Sequence, residues 1–524
     1  MVCLSKMSRN VSALLRDEKA ALHPALLPFI GIAIGTALFF ITLLPLRYAI
    51  VAIFAVLAPF LVFLLGQWKN FFLAVAILGI PLQVKTTLFG YTANQIGGPG
   101  GIDLTLADCA MIALYFHWFY ECLTHKDKRA VHFSSIELFI LISIFISTIS
   151  LSGAVNLTLG FIDLLRVVKI TFFYLYLANN IRQPKEFKLV ILMLFVGVLF
   201  HNLASIAQYM LGGRRLGLAF LGEVQKWEYL DTVFTKQDRP GGLLQGANTS
   251  AVYLVCILPF AITSLFWMKR RLGIAFILGI IVSCLVVLII TLSRAGWLGF
   301  LLSFPVLFYM AVKKKFIQYN RHFLYGLLFI LLSTSLFTVF STKIVNRIFN
   351  SPPLSGYFRS SVNTMTMAMI YSHPFFGVGL NNYQQIAPDF IRDMPDPKNV
   401  SYLISEHVVV HNLYLLTAAE LGPFGLVVFL YIIYLLQKRA LFIFRSDEPV
   451  ISSIGIAYFS FIIGLMASEI FDFSYRLDQL FYLFWTLAGL TVAAGRMEKV
   501  LNNQDMDGIK IENASAANYQ FLKA

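Results

Sequence analysis

The stretch KRRLGIAFILGIIVSCLVVLIITLSRAG, residues 269–296, decides the architecture. Lys269, Arg270 and Arg271 precede an uncharged, apolar run that ends at Ser293-Arg294. Wound as a helix, a run of roughly 20 residues crosses a hydrocarbon core of about 30 Å. The cations then mark one side of a membrane, and Ser293-Arg294 begins the return from the other. Similar runs lie at 25–45, 48–66, 70–89, 104–121, 133–152, 160–179, 188–210, 247–267, 295–312, 323–342, 412–436, 451–470 and 479–495. With 58% hydrophobic and 13% charged residues, against about a quarter charged in soluble domains, the chain leaves no water-soluble domain over. It reads as an all-α integral membrane protein with about 14 transmembrane helices, or roughly 12–14 counting weak spans. The 70–89 span is the weakest, because Pro81, Gln83 and Lys85 interrupt it.

Basic clusters at Lys126/Lys128/Arg129, Arg182/Lys185/Lys188, Lys269/Arg270/Arg271, Lys313/Lys314/Lys315/Arg321 and Lys438/Arg439/Arg445 fall on one side, together with both termini. The positive-inside bias makes that side the cytoplasm. This excess accounts for the net charge of +14 and the pI of 9.4, so nucleic acid is excluded as a partner. Residues 1–24 form a basic cytoplasmic tail, and no small-residue cleavage site follows the first span, which reads as retained. Residues 496–524 form a second cytoplasmic tail. Cys3, Cys109, Cys122, Cys256 and Cys284 sit in the tail, within helices or at a cytoplasmic helix end, and imply neither a disulfide nor a CxxC metal site.

Exposed chain is concentrated in two external loops. One, 211–246, separates the N-terminal helices (25–210) from the central ones (247–342); the other, 343–410, precedes the C-terminal helices (411–495). Long loops in compact proteins commonly carry function. The second loop holds a helical segment at 359–372 and then His373-Pro374, Gly377 and Gly379 before Asn381-Asn382, and reads as a partly helical external cap. The first ends in Asp238-Arg239-Pro240-Gly241-Gly242, shortly before Asn248. Arg239, Arg294, Arg359 and His411 thus reach the same membrane surface. An imidazole with a reference pKa near 6.5 can take a proton from a hydroxyl at neutral pH. Guanidinium groups offer fixed-charge, bidentate contacts to phosphate. A base beside a cluster of cations suits a reaction with an anionic leaving group.

Plainer roles compete with these. His407 and His411 could share a helix face as a metal pair, but the intervening residues are all valine and no third ligand is evident. The first external loop, Pro45-Leu46-Arg47-Tyr48, has no carboxylate and there is no Asp-x-Asp motif, so no metal is expected. No cofactor is expected either: GxxxxGK[ST] is absent, and Gly377-x-Gly379 follows no strand of a βαβ unit. Arg294 alone could be an interfacial anchor, and Arg239 could pair with Asp238. Glu420, inside a span, is expected to be structural and to pair with Arg166 or Lys169. Gly422 and Gly425 would permit close helix packing. Trp227, Tyr229, Tyr357 and Phe358 could stack on sugars or anchor the protein at the interface.

Arg239 with Gly242 and Asn248, Ser293-Arg294-Ala295, His373-Pro374-x-x-Gly377-x-Gly379, and His411-Asn412 followed by Gly422-x-x-Gly425 occur in an order that resembles the O-antigen ligase and O-antigen polymerase superfamily, over roughly residues 190–470. The resemblance implies a GT-C-like membrane glycosyltransferase. Its donor would be a polyprenyl-diphosphate-linked oligosaccharide, and its acceptor a sugar hydroxyl on a glycan or lipid core. Transfer would take place at the external (periplasmic) face of the bacterial cytoplasmic membrane, among membrane lipids. It implies catalytic roles for His411, Arg294 and Arg239, and substrate-binding roles for Arg359, Asn248, Asn412, Gly377 and Gly379. His411 is expected to act as the base in a metal-independent, inverting transfer. Polymerisation, ligation and transfer to protein stay open as alternatives, as does transport or flipping of the lipid-linked glycan along a path that Arg166, Lys169 and Glu420 could line.

Overall fold

The computed structural model describes residues 35, 68–82, 84–92, 95–124, 133–212, 216, 239–244, 246–316, 341–342, 345, 353–392 and 408–521. The spans expected at 25–45, 48–66 and 323–342 lie essentially outside the described residues, as do His407, Trp227 and Tyr229.

The described elements run in order α1 (Trp68–Leu82), β1 (Lys85–Gly90), β2 (Gly101–Thr105), α2 (Leu106–Thr124), α3 (Ser135–Ser150), α4 (Leu157–Asn180), α5 (Pro184–Met210), α6 (Ala247–Ser264), α7 (Arg271–Ile290), α8 (Arg294–Lys313), α9 (Pro353–Ser372), α10 (Tyr383–Arg392), α11 (Leu413–Phe444), α12 (Pro449–Ser468) and α13 (Asp478–Phe521). Among the described residues eight helices are long and apolar enough to cross a membrane: α3, α5, α6, α7, α8, α11, α12 and the first part of α13. The chain is a multi-pass membrane protein. Each of these eight coincides with a run read from the sequence, because an apolar run of this length must satisfy its backbone internally as helix. The expected span at 160–179 forms α4, 24 residues long, with Asp163 and Arg166 on its buried side.

The helices run back and forth between two ends. At one, Lys314 donates to the Arg445 carbonyl at 3.1 Å, Ser446 bonds Glu498, and Arg496 bonds the Ala178 carbonyl. Among the described residues this end carries the basic residues Lys314, Arg445 and Arg496. The opposite end carries the β1–β2 hairpin and His411.

The hairpin ends the third expected span early and adds one small pair of strands to an otherwise helical fold. α1 is only 15 residues long, about 22 Å at 1.5 Å per residue. Past Pro81 the chain reverses into an antiparallel pair, with Lys85 opposite Thr105 and an irregularity between Thr87 and Phe89. A helix continued to residue 89 would have carried Lys85 into lipid. In the hairpin its ammonium pairs with Asp103 and lies 3.9 Å from Asp478.

A main apolar core fills the bundle. A second, smaller core lies at the hairpin end, where Val362, Met365, Val378, Val409, Leu416 and Phe473 meet. It seats α9, α10 and segment 408–410 on the start of α11, and so fixes where His411 stands.

Candidate active site

α11 starts at Leu413 because Asn412 caps it: its Oδ1 accepts the N–H groups of Tyr414 and Leu415, both at 3.0 Å. The Leu413 N–H, one of the orphan donors of a first turn, is shared between the carbonyls of Glu469 and Asp472, each at 3.0 Å. His411, just before the cap, is thereby tied to the turn that follows α12. The edge of Phe473 meets its ring, centroids 5.2 Å apart. The Asp472 carboxylate is held by the Phe473 N–H at 2.8 Å and the Ser474 hydroxyl at 3.0 Å.

Electrostatics link this turn to two of the expected arginines. Loss of solvation pushes the His411 pKa below its usual value, Asp472 opposes that shift, and Arg359 adds to it. Arg359, on α9, is itself depressed by burial, with Asp472 opposing and Arg294 reinforcing the shift. Arg294 is exposed on the first turn of α8, which Ser293 caps through the Gly296 N–H at 3.4 Å. The Ser468 hydroxyl donates to the Ala295 carbonyl at 3.1 Å and draws the start of α8 to the end of α12. His411, Asp472, Arg359 and Arg294 therefore form one constellation. It gathers an imidazole, a carboxylate and two guanidinium groups, side chains whose chemistry suits proton transfer and the binding of an anion.

Arg239 joins through the turn just before Arg294. Its Nε donates to the Thr291 carbonyl at 2.7 Å and its Nη2 to Asn248 Oδ1 at 2.7 Å. Asn248 thus holds Arg239, and the Asn412 side-chain oxygen is engaged in capping. Gly377 and Gly379 lie elsewhere, at a buried seam. Within α11, Gly422 takes φ 74° and ψ 169° and Pro423 has no N–H, so the carbonyls of Ala419 and Glu420 lose their helical partners. The Val378 and Gly379 N–H groups fill those places at 2.8 and 3.1 Å. A side chain at Gly422 would start 2.1 Å from the Phe375 carbonyl oxygen. The close approach that Gly422 permits is therefore to a loop, where helix packing was expected. Asn381 and Asn382 complete the seam. They bond Pro99, Gln95, Leu159 and Asn156, and tie the loop after β1 to the turn before α4.

Glu420 has a different partner from those expected. Its Oε2 lies 3.0 Å from Arg476, which also reaches Asp163 at 2.6 Å and the Gly97 carbonyl at 3.1 Å. Arg166 pairs with Asp163 and Asp478, and Lys169 with Asp108. Glu420 is thus reached from the turn just before α13 instead of from α4.

Two acidic residues escaped the sequence reading, Asp472 and Glu469. Glu469 is fully buried, its Oε1 accepts the Tyr475 N–H at 3.1 Å, and its Oε2 meets no hydrogen-bond donor among the described residues. Burial and the neighbouring Asp472 push its carboxyl well above the usual range. A signal was available: a Glu-x-x-Asp pair at the end of an apolar span, on the side where His411 lies.

Comparison with known families bears on one part of the chain. Residues 279–430 match the O-antigen ligase family, Wzy_C. The matched segment, under a third of the chain, runs from within α7 to within α11 and takes in Arg294, Arg359, the 373–379 motif, His411 and the Gly422 break, whereas Arg239, Asn248 and Asp472 lie outside it. It supports a glycan ligase or polymerase role. No curated protein matches the chain.

Proposed function

We propose that the chain transfers a glycan from a polyprenyl-diphosphate carrier to a sugar hydroxyl at the external face of the bacterial cytoplasmic membrane. The observation that carries this reading is His411 set against Asp472, with Arg359 and Arg294 beside it. The acceptor hydroxyl gives its proton to His411 as its oxygen attacks the anomeric carbon. The bond from that carbon to the diphosphate oxygen breaks, and the lipid diphosphate leaves with both electrons. Arg294 and Arg239 take up its charge, with Arg359 behind them. At about 4 Å and an effective dielectric near 20, each contact carries a Coulomb term of roughly 4 kcal/mol before desolvation. A single in-line displacement inverts the anomeric centre. Asp472 stabilises the imidazolium until its proton leaves.

The placement of the site outside rests on the basic residues at the far end of the bundle, which would leave both termini in the cytoplasm. On this reading the bundle is GT-C-like, with about 14 spans once those expected before residue 68 and at 323–342 are added. A flippase would need Arg166, Lys169 and Glu420 along an open path; each is engaged in an ion pair, which weighs against that use.

The test uses purified protein in proteoliposomes with a polyprenyl-diphosphate-linked oligosaccharide and no nucleotide. Transfer by wild type that falls steeply in folded His411→Ala and Arg294→Ala is expected. Transfer at the wild-type rate in both, or a retained anomeric configuration, sinks the mechanism. Movement of intact donor across the bilayer without cleavage would support the flippase instead.

A further inference from the structure

The α5 helix, apolar on most of its surface, ends with a buried polar stripe. His201, Ser205 and Gln208 recur there at helical spacing. Polar groups at this depth are costly unless bonded: Ser205 donates to the His201 carbonyl of its own helix at 2.9 Å, whereas His201 and Gln208 bond the backbone of the loop that carries Arg239. Gln208 grips Gly242 at two points, accepting its N–H at 2.8 Å and donating to its carbonyl at 3.1 Å. The Leu243 N–H donates to His201 Nδ1 at 3.2 Å. In the neutral ring this leaves the proton on Nε2, which faces the Ser250 hydroxyl of α6 at 2.8 Å. Gly242 has φ +61°, and a side chain there would start 2.3 Å from Ser205 Oγ and 2.5 Å from His201 Cε1. The loop can therefore lie at only one height on α5. Pro240, buried, stiffens the link from Gly242 back to Arg239.

We propose that His201 and Gln208 are positioning residues for Arg239: they set the height of segment 239–244 so that the guanidinium faces the departing diphosphate beside Arg294. This rests on the reading of Arg239 as a phosphate clamp. Anchoring from α5 is needed because Thr291 and Asn248 orient the guanidinium but do not hold the backbone that carries it. A displacement of about 1 Å at a reacting centre can cost on the order of a hundredfold in rate.

The experiment compares Gln208→Ala, His201→Gln and His201→Asn, each alone and combined with Arg239→Ala, in proteoliposomes supplied with the polyprenyl-diphosphate-linked oligosaccharide; thermal melting in detergent confirms that each is folded. The Asn side-chain oxygen falls near the place of Nδ1 and keeps the Leu243 bond, whereas Gln reaches the place of Nε2 and keeps only Ser250. Expected are kcat losses of about tenfold to a hundredfold for Gln208→Ala and His201→Gln, a much smaller loss for His201→Asn, and no further loss in the Arg239→Ala background. Wild-type kcat in Gln208→Ala and His201→Gln, or losses that multiply fully with Arg239→Ala, overturns the assignment. Should the position-201 variants fail to fold, the Gln208→Ala cycle decides alone. If Arg239→Ala itself turns over like wild type, the clamp reading falls and takes this assignment with it. If wild type transfers nothing from this donor, the functional reading is at fault and the assignment falls with it.

Discussion

Arg476 lies 3.0 Å from Glu420 and closes a buried ion pair across the break in α11. The same guanidinium reaches Asp163, and Arg166 donates back to the Arg476 carbonyl at 2.6 Å. The turn before α13, the first turns of α11 and the first turns of α4 are thus locked at the end of the bundle that holds Asp472 and His411. Removing one partner from such a pair leaves an uncompensated charge, typically at a cost of about 3–5 kcal/mol. Arg476→Ala strands both Glu420 and part of Asp163, whereas Glu420→Gln leaves Arg476 its bond to Asp163. Thermal unfolding in detergent is expected to show a much larger loss for Arg476→Ala than for Glu420→Gln; equal melting temperatures would mean the network contributes little.

The pH dependence follows from the surroundings of His411. Because its pKa is lowered, the ring stays neutral, and able to act as a base, below the reference value of about 6.5. Transfer should fall only as pH drops through the depressed pKa. Asp472 raises that pKa, so Asp472→Asn should move the acid limb to lower pH. Arg359 lowers it, so Arg359→Gln should move the limb to higher pH. kcat/KM profiles of the three proteins check the signs, and limbs that do not move argue against His411 as the titrating group. His411→Ala should cost about 10² to 10⁴ in rate.

Arg294 separates charge from geometry. A charge-assisted hydrogen bond contributes about 1.5–3 kcal/mol, so Arg294→Ala should lower kcat by roughly tenfold to a hundredfold. Arg294→Lys keeps the charge without the planar fork and should fall between alanine and wild type. A lysine variant as slow as the alanine variant would assign the effect to bidentate geometry alone.

Gly422→Ala places a side chain at φ 74°, with its Cβ 2.1 Å from a backbone oxygen. Strain of this kind costs about 1–3 kcal/mol before any clash is relieved. The variant should melt at lower temperature and also lose transfer activity, since the displaced 375–379 segment belongs to the loop that seats α9 and Arg359. Gly425→Ala offers a control, because its nearest contact is the Leu421 side chain of its own helix; it should be milder in both assays.

The eight described spans were legible in the sequence because crossing a membrane is a local property: about 20 apolar residues in a row have no other way to satisfy their backbone. The same logic placed Arg294 and His411 at one end of the bundle, since both adjoin the ends of such runs. Residues 85–89 were read as the end of a span because a short strand with Thr, Leu and Phe is as apolar as a helix of the same composition; Lys85 needed Asp103 across the turn, and pairing between strands is invisible to a hydropathy count. The partner of Glu420 could not be read either. A buried carboxylate in a medium of low dielectric must find a cation, and which one it finds depends on how α4, α11 and α13 pack. The influence of Asp472 on His411 was hidden too. The two are far apart in the chain, and only the fold, through the Leu413 N–H shared between the Glu469 and Asp472 carbonyls, brings the Asp472 turn alongside His411.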